Sequence, residues 1–262
     1  MVKKFVISSG HALKVCGAKG ILDEVNEARK VANRVYEILT TGYDGSGYNF
    51  HDDTSITQNQ NLNTIVNYHN GKTRDLDISI HFNAASKTSE PRGTECLYYD
   101  AIALSKKVSA KIASISGLKD RGAKERKELY FLNSTNSTAI LIEVCFVDSV
   151  ADAKIYNDKF EYICQGIASV IADYLDYTKQ VSTVDKSVNS ISYYKTGTGK
   201  YKVIKDCHAY QRVKFDKAER VEKCNKNTIY TIVDIVRYGN VYRLKTKSGL
   251  YITAKKEYVR KV

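Results

Sequence analysis

Residues 139–147, AILIEVCFV, constrain the fold more than any other stretch of this chain. The run is apolar almost throughout, as in a strand covered on both faces, and such a strand needs helices on either side of its sheet. The rest of the first 177 residues supplies that alternation. Residues 2–7 form a short apolar run ending in Ser8-Ser9-Gly10-His11. From Glu24 to Thr41 apolar side chains fall at Val25, Ala28, Val31, Ala32, Val35 and Leu39, a helical period. Residues 48–51 read as a weak strand and 57–69 as a helix; 77–83, DISIHFN, alternate as a strand does. Residues 94–99 add a strand, 102–115 a helix, and 151–177 one or two closing helices. The pattern predicts an α/β domain over residues 1–177, a layered, mostly parallel sheet flanked by helices.

The character changes at residue 178. Residues 178–199 are polar, lack a sustained hydrophobic period and end in Gly197-Thr198-Gly199, so they are expected to be a linker. Short β-type runs follow at 201–204, 228–236, 240–244 and 250–253, with Gly239-Asn240 and Ser248-Gly249 as turns. This predicts a small all-β barrel over residues 200–262. Charge marks the same division. Of the 41 Lys and Arg and 29 Asp and Glu in the chain, residues 178–262 hold 20 and 7, so the cationic excess lies entirely there. Nine of the 20 tyrosines also fall in this part, where core packing is the expected role for most.

Several function classes are disfavoured at this point. No run approaches the roughly 18 apolar residues of a membrane span. The opening MVKKFVISSGHA lacks the apolar core of a secretory leader, so synthesis in the cytoplasm without a signal peptide is expected. The six cysteines form no CxxC and no dense framework, which argues for free thiols used as small hydrophobes.

Three chemistry-bearing residues sit on or just after predicted strands. His11 follows the first strand, His81 lies near the end of DISIHFN, and Glu143 is set inside the apolar run. In a parallel sheet the carboxyl ends of strands converge on one edge, where ligands bind. Neutral imidazoles with a carboxylate suit Zn²⁺, whose catalytic sites usually have three protein ligands. Glu27, near the start of the first helix, is the natural third ligand; Glu24, three residues earlier, is its rival. The plainer reading is that the histidines are hydrogen-bonded structural residues and the glutamate offsets the helix dipole. Glu143 is harder to place so simply, because a carboxylate among apolar neighbours is either functional or ion-paired. His51, His69 and His208 are expected to face solvent.

Taken in order, GH near the start, VNEA, SIHFNA and AILIEVCFVD resemble the zinc-dependent N-acetylmuramoyl-L-alanine amidases of the amidase type 3 family. The resemblance spans residues 1–177. It implies that His11, Glu27 and His81 bind zinc, that Glu143 is the catalytic general base and acid, and that the substrate is bacterial peptidoglycan. It favours Glu27 over Glu24 because VNEA matches the motif and DEV does not. The bond implied joins the lactyl group of N-acetylmuramic acid to L-alanine of the stem peptide. Asn83, on the same strand face as His81, is a candidate substrate contact. Two departures stand out: Ala12-Leu13-Lys14 replace a glycine-rich segment, and Phe82 replaces an alanine, placing bulk beside the site.

The C-terminal part resembles bacterial SH3-type wall-binding modules, with Tyr242 where a tryptophan is usual. A cationic barrel suits a wall rich in anionic polymers. The whole then reads as a bacteriophage or prophage endolysin, made in the host cytoplasm and acting on the wall after release. No membrane insertion is expected. The alternatives are a zinc peptidase cutting within the stem peptide and a nonenzymatic nucleic-acid-binding protein; no nucleic-acid recognition signature accompanies the positive charge.

Overall fold

The computed structural model describes residues 2–180, 193–238 and 241–262. The chain divides into two compact units, Met1–Val181 and Ser182–Val262. Most of the expected linker, and the Gly239-Asn240 turn, lie outside the described residues.

The first unit is built on six strands: β1 (Lys4–Ser9), β2 (Ser46–Phe50), β3 (Leu76–Asn83), β4 (Thr94–Tyr98), β5 (Asp120–Glu125) and β6 (Thr138–Phe146). They lie in the order β2-β1-β3-β6-β4-β5. Every neighbouring pair is parallel except β4 with β6, so the sheet is mixed. The helices are α1 (Glu24–Thr41), α2 (Gln58–Asn70), α3 (Ile102–Ser116), α4 (Tyr130–Ser134) and α5 (Val150–Tyr174). No helix among the described residues is long and apolar enough to cross a membrane.

Strand alternation sorts the side chains into two cores. Leu76, Ile78, Ile80 and Phe82 of β3, with Ile140, Ile142 and Val144 of β6, join the larger cluster packed against α1, α3 and α5. Ala139 and Leu141 face the other way, into a smaller cluster with Ile65 and Val66 of α2 and Phe131 and Leu132 of α4. Residue 143 continues that second set, and so does residue 81 on β3. Helix α1 starts where it does because Asp23 caps it, accepting from the Asn26 N–H, and its expected apolar stripe is buried.

Phe82 is a correction to the sequence reading. Its side chain is 2% exposed and meets the Tyr156 ring edge-on, so its bulk enters the core rather than standing beside the histidines. His69 is another correction. It is fully buried, hydrogen-bonded through Nδ1 to Asp77 at 2.8 Å and through Nε2 to Ser8 Oγ at 3.0 Å. Arg74 completes the network with a 2.8 Å bond to Asp77. Burial keeps the imidazole pKa low despite the adjacent carboxylate. His69→Ala leaves a buried carboxylate short of a partner beneath the sheet and is expected to remove about 3 kcal/mol or more of stability, measured by urea unfolding. His51 is also not a free loop residue: it is half-buried and bonded to Ser9 and Asn33.

Among its described residues the second unit is an all-β assembly of seven strands: β7 (Gly199–Val203), β8 (Cys207–Tyr210), β9 (Arg220–Cys224), β10 (Ile229–Tyr238), β11 (Val241–Thr246), β12 (Tyr251–Thr253) and β13 (Val259–Lys261). Their order is β13-β7-β10-β11-β12-β8-β9, every pair antiparallel. The core is Tyr201, Val203, Ala209, Ile232, Leu244, Ile252, Ala254 and Val259, with Tyr193, Tyr194, Tyr230, Tyr242 and Tyr258 packed on it. Tyr193 and Tyr194, expected in the linker, therefore belong to this unit. All six cysteines are free thiols, five of them buried.

Candidate metal centre

The geometry of β1, β3 and α1 brings together, at one end of the sheet, three side chains that could hold a metal ion. His11 lies two residues past β1, His81 sits near the end of β3, and Glu24 is the first residue of α1. Glu24 joins the two histidines. Its Oε1 lies 3.0 Å from His81 Nδ1, and its Oε2 lies 3.4 Å from His11 Nε2. The imidazoles meet edge to face at 5.1 Å. One ligand atom from each of the three residues lies within 4.8 Å of the others.

Glu24 is held in place by the backbone as well. Its Oε1 accepts from the Phe82 N–H at 3.0 Å and its Oε2 from the Ala18 N–H at 2.7 Å. Burial by itself would push its carboxyl up, but the bonds to His11 and His81 outweigh that and hold it well below the usual carboxylate range. Two glycines make room. A Cβ on Gly10 would fall 1.9 Å from the His81 ring, and one on Gly17 would fall 2.8 Å from Glu24 Oε2.

Glu27, the carboxylate expected here, is elsewhere. It accepts from Tyr156 OH at 2.8 Å and pairs with Lys30 at 2.6 Å. Three residues along a helix advance the side chain by about 4.5 Å. That carries position 27 away from the sheet edge and towards α5, while position 24 stays beside the histidines.

Glu143 stands next to His81 in the β3–β6 register. It carries no ion pair among the described residues, and its Oε2 is buried without a hydrogen-bond partner. Burial, reinforced by Glu24 and Glu95, pushes its pKa up to about 8, with Arg126 opposing. Of the two explanations for an acid in this strand, ion pairing is therefore absent.

Beyond Glu143 lies a group that the sequence reading missed. Glu95 of β4 pairs with Glu143 across the antiparallel register. It is 7% exposed, accepts from Asn83 Nδ2 at 2.8 Å and pairs with Arg121 Nε at 2.7 Å. The Arg121 guanidinium also lies 4.9 Å from the centre of the Phe146 ring. Asn83 is thus engaged by a carboxylate while half-buried beside the cluster. The signal that singled out Glu143, an acid inside a buried strand, was present for Glu95 in TECLY as well.

The residues fit a zinc ion on their own chemistry. Two imidazoles and a carboxylate form its usual catalytic donor set. Two buried polar atoms, His11 Nδ1 and Glu143 Oε2, are left without hydrogen-bond partners around it.

The α/β sheet thus carries a cluster of two half-buried histidines and a buried glutamate at one end of its strands, of the kind that could hold a metal ion, and comparison with known proteins gives the class. Residues 5–173 match the family described as N-acetylmuramoyl-L-alanine amidase, and the chain belongs to that family. Residues 193–259 match a domain of unknown function, DUF5776. An uncharacterized protein of Clostridium perfringens (strain 13 / Type A) is 34% identical over 163 residues, 60% of this chain and 47% of that protein. The chain spans about half the length of the two Clostridium perfringens relatives it matches, 47% and 58%. An endolysin of Bacillus phage SPP1 is 28% identical over 99% of this chain and 98% of its own length. Among solved structures, the catalytic domain of the CD27L endolysin targeting Clostridia difficile superposes with a TM-score of 0.59 at 25% identity, covering 65% of this chain and 97% of that one.

Proposed function

We propose that the chain is a zinc-dependent peptidoglycan amidase, hydrolysing the amide between N-acetylmuramic acid and L-alanine of the stem peptide. The observation that carries this reading is Glu24 bridging His11 and His81 beside a half-buried Glu143 whose Oε2 is buried with no hydrogen-bond partner among the described residues. His11, Glu24 and His81 would hold the ion. When bound, zinc supplies Lewis-acid polarisation of the carbonyl and activation of water at neutral pH.

The rest of the work falls to the protein's own groups. Glu143, with no ion pair holding it ionised, takes a proton from the attacking water and passes one to the leaving amine. Its raised pKa suits the second of these roles. Asn83, whose Nδ2 donates to Glu95, is proposed to contact the sugar or the peptide beside the cluster. Metal analysis of purified protein, combined with product analysis of digested walls, tests this reading. A new amino terminus on alanine, with muramic acid freed of peptide, is the expected product. Alanine still attached to muramic acid would instead make the chain a peptidase.

The second unit is proposed to target the enzyme to the wall as an SH3-like module. Its cationic excess, and the match over almost its whole length to a phage endolysin, support this role. Tethering raises the local concentration of the bond to be cut. Residues 1–181 alone are expected to keep the metal and to hydrolyse soluble substrate. The same fragment should co-sediment with purified walls at least about tenfold less well than the full chain.

A further inference from the structure

On β11 the side chains alternate. Leu244 and Thr246 are buried, which puts Arg243 and Lys245 on the opposite face of the strand. Arg243 lies flat against Phe215, with its guanidinium carbon 3.6 Å from the ring centre. Phe215 in turn stacks on Tyr210 at 3.9 Å with only 9° between the rings. Both faces of Phe215 are therefore taken, one by a cation and one by a phenol.

Arg243 is half-buried, yet among the described residues no carboxylate pairs with it. Other cations of this unit differ: Arg212, Lys205 and Lys223 each have an acidic partner. Among the described residues the one side-chain hydrogen bond from Arg243 is long, Nε donating to the Val213 carbonyl at 3.4 Å. Burial pulls its pKa down, and the nearby phenols of Tyr193, Tyr210 and Tyr238 offset this only in part. A guanidinium stacked by its face keeps its Nη edge for two parallel hydrogen bonds, the geometry that oxyanions fit. Two further cations flank the stack: Arg220 donates to Tyr210 OH at 3.3 Å, and Lys245 lies 5.9 Å from the centre of the Tyr251 ring. Tyr251 is the cross-strand partner of both Tyr210 and Lys245, so these groups form one row across β8, β12 and β11.

We propose that Arg243, mounted on the Phe215–Tyr210 stack, is the anchor of an oxyanion site that takes the phosphodiester of a polyol-phosphate polymer. The inference rests on the reading of this unit as a wall-targeting module and names the ligand that module takes. A phosphodiester presents two terminal oxygens to the guanidinium edge. Its repetition along a polymer lets Lys245 and Arg220 meet neighbouring charges, which a single peptide carboxylate would not do. Nucleic acid carries the same linkage but draws much of its affinity from bases stacking on open aromatic faces, and Phe215 offers none.

The test uses the full chain and its Arg243→Gln and Arg243→Lys variants, with poly(glycerol phosphate) and single-stranded DNA as probes in titration calorimetry. Wild type is expected to bind poly(glycerol phosphate) more tightly than DNA. Arg243→Gln should weaken polymer binding at least about tenfold, and Arg243→Lys should weaken it too, because an ammonium cannot stack or chelate as a fork does. Hydrolysis of a soluble muropeptide should be equal in all three proteins. If the Gln variant lacks the wild-type near-UV circular dichroism spectrum, the Lys variant carries the comparison. Polymer affinity unchanged in a folded variant, or tighter binding of DNA by wild type, overturns the site. Co-sedimentation with walls before and after hydrofluoric acid removes their phosphodiesters separates the two readings. Wild type that ignores untreated walls but loses poly(glycerol phosphate) with Arg243→Gln keeps the site and removes wall targeting.

Discussion

Glu143→Gln is expected to lower the release of alanine amino groups from purified walls at least about a hundredfold while leaving the zinc content at wild-type level. Glutamine keeps the size of the side chain and its place on β6 but can neither take nor return a proton. The histidines and Glu24 do not depend on residue 143 for their mutual contacts, so metal binding should survive. Wild-type turnover in this variant would show that the assigned base is the wrong residue. The same substitution has a consequence for stability. In the metal-free protein the Glu143 pKa of about 8 lies above its ordinary value of 4.5. The folded state therefore binds the proton more tightly, and the stability this contributes is fully present below pH 4.5 and lost as the pH rises through 8. Metal-free wild type is expected to weaken across that interval by up to a few kcal/mol, and the Gln variant by less, in urea titrations at several pH values.

The second large effect separates two glutamates one helical turn apart. Glu24→Gln is expected to lower zinc affinity by more than about a hundredfold, beyond what loss of an outer partner of a ligand usually does. The carboxylate there touches both imidazoles and two backbone N–H groups, and a carboxamide cannot accept from all four at once. Glu27→Gln should leave zinc affinity within a few-fold of wild type and remove only about 1 kcal/mol of stability through its bond to Tyr156. Competition with a chromophoric chelator measures both. Equal zinc loss in the two variants would mean that α1 sits differently when the ion is bound.

This pair also shows where sequence reading stops. The α/β alternation was legible because β3, β6 and α1 carry strong apolar periods, and the strand-end positions of His11, His81 and Glu143 followed from them. Which of two helix-start glutamates meets the histidines was not legible, since it depends on where the first turn of α1 abuts the sheet. Motif matching chose position 27, and the backbone N–H groups of Ala18 and Phe82 select position 24. Strand β5 went unread because DRGAKE has no apolar alternation; it is an edge strand formed through its pairing with β4. In the second unit, β8 and β13 are only 4 and 3 residues long, and β9 is exposed along most of its length. His69 was misread because α2 is polar in composition, while its partners lie on two strands, Asp77 8 residues ahead on β3 and Ser8 61 residues behind on β1.

The bare backbone at positions 10 and 17 sets a limit on engineering. Exchanging glycine for alanine is a common route to a hardier enzyme, because it restricts the unfolded chain. Here it would push a methyl group into the His81 ring or against the Glu24 carboxylate. A programme of thermal hardening must leave these two sites untouched and look instead to positions such as Gly71, where an added methyl has more room.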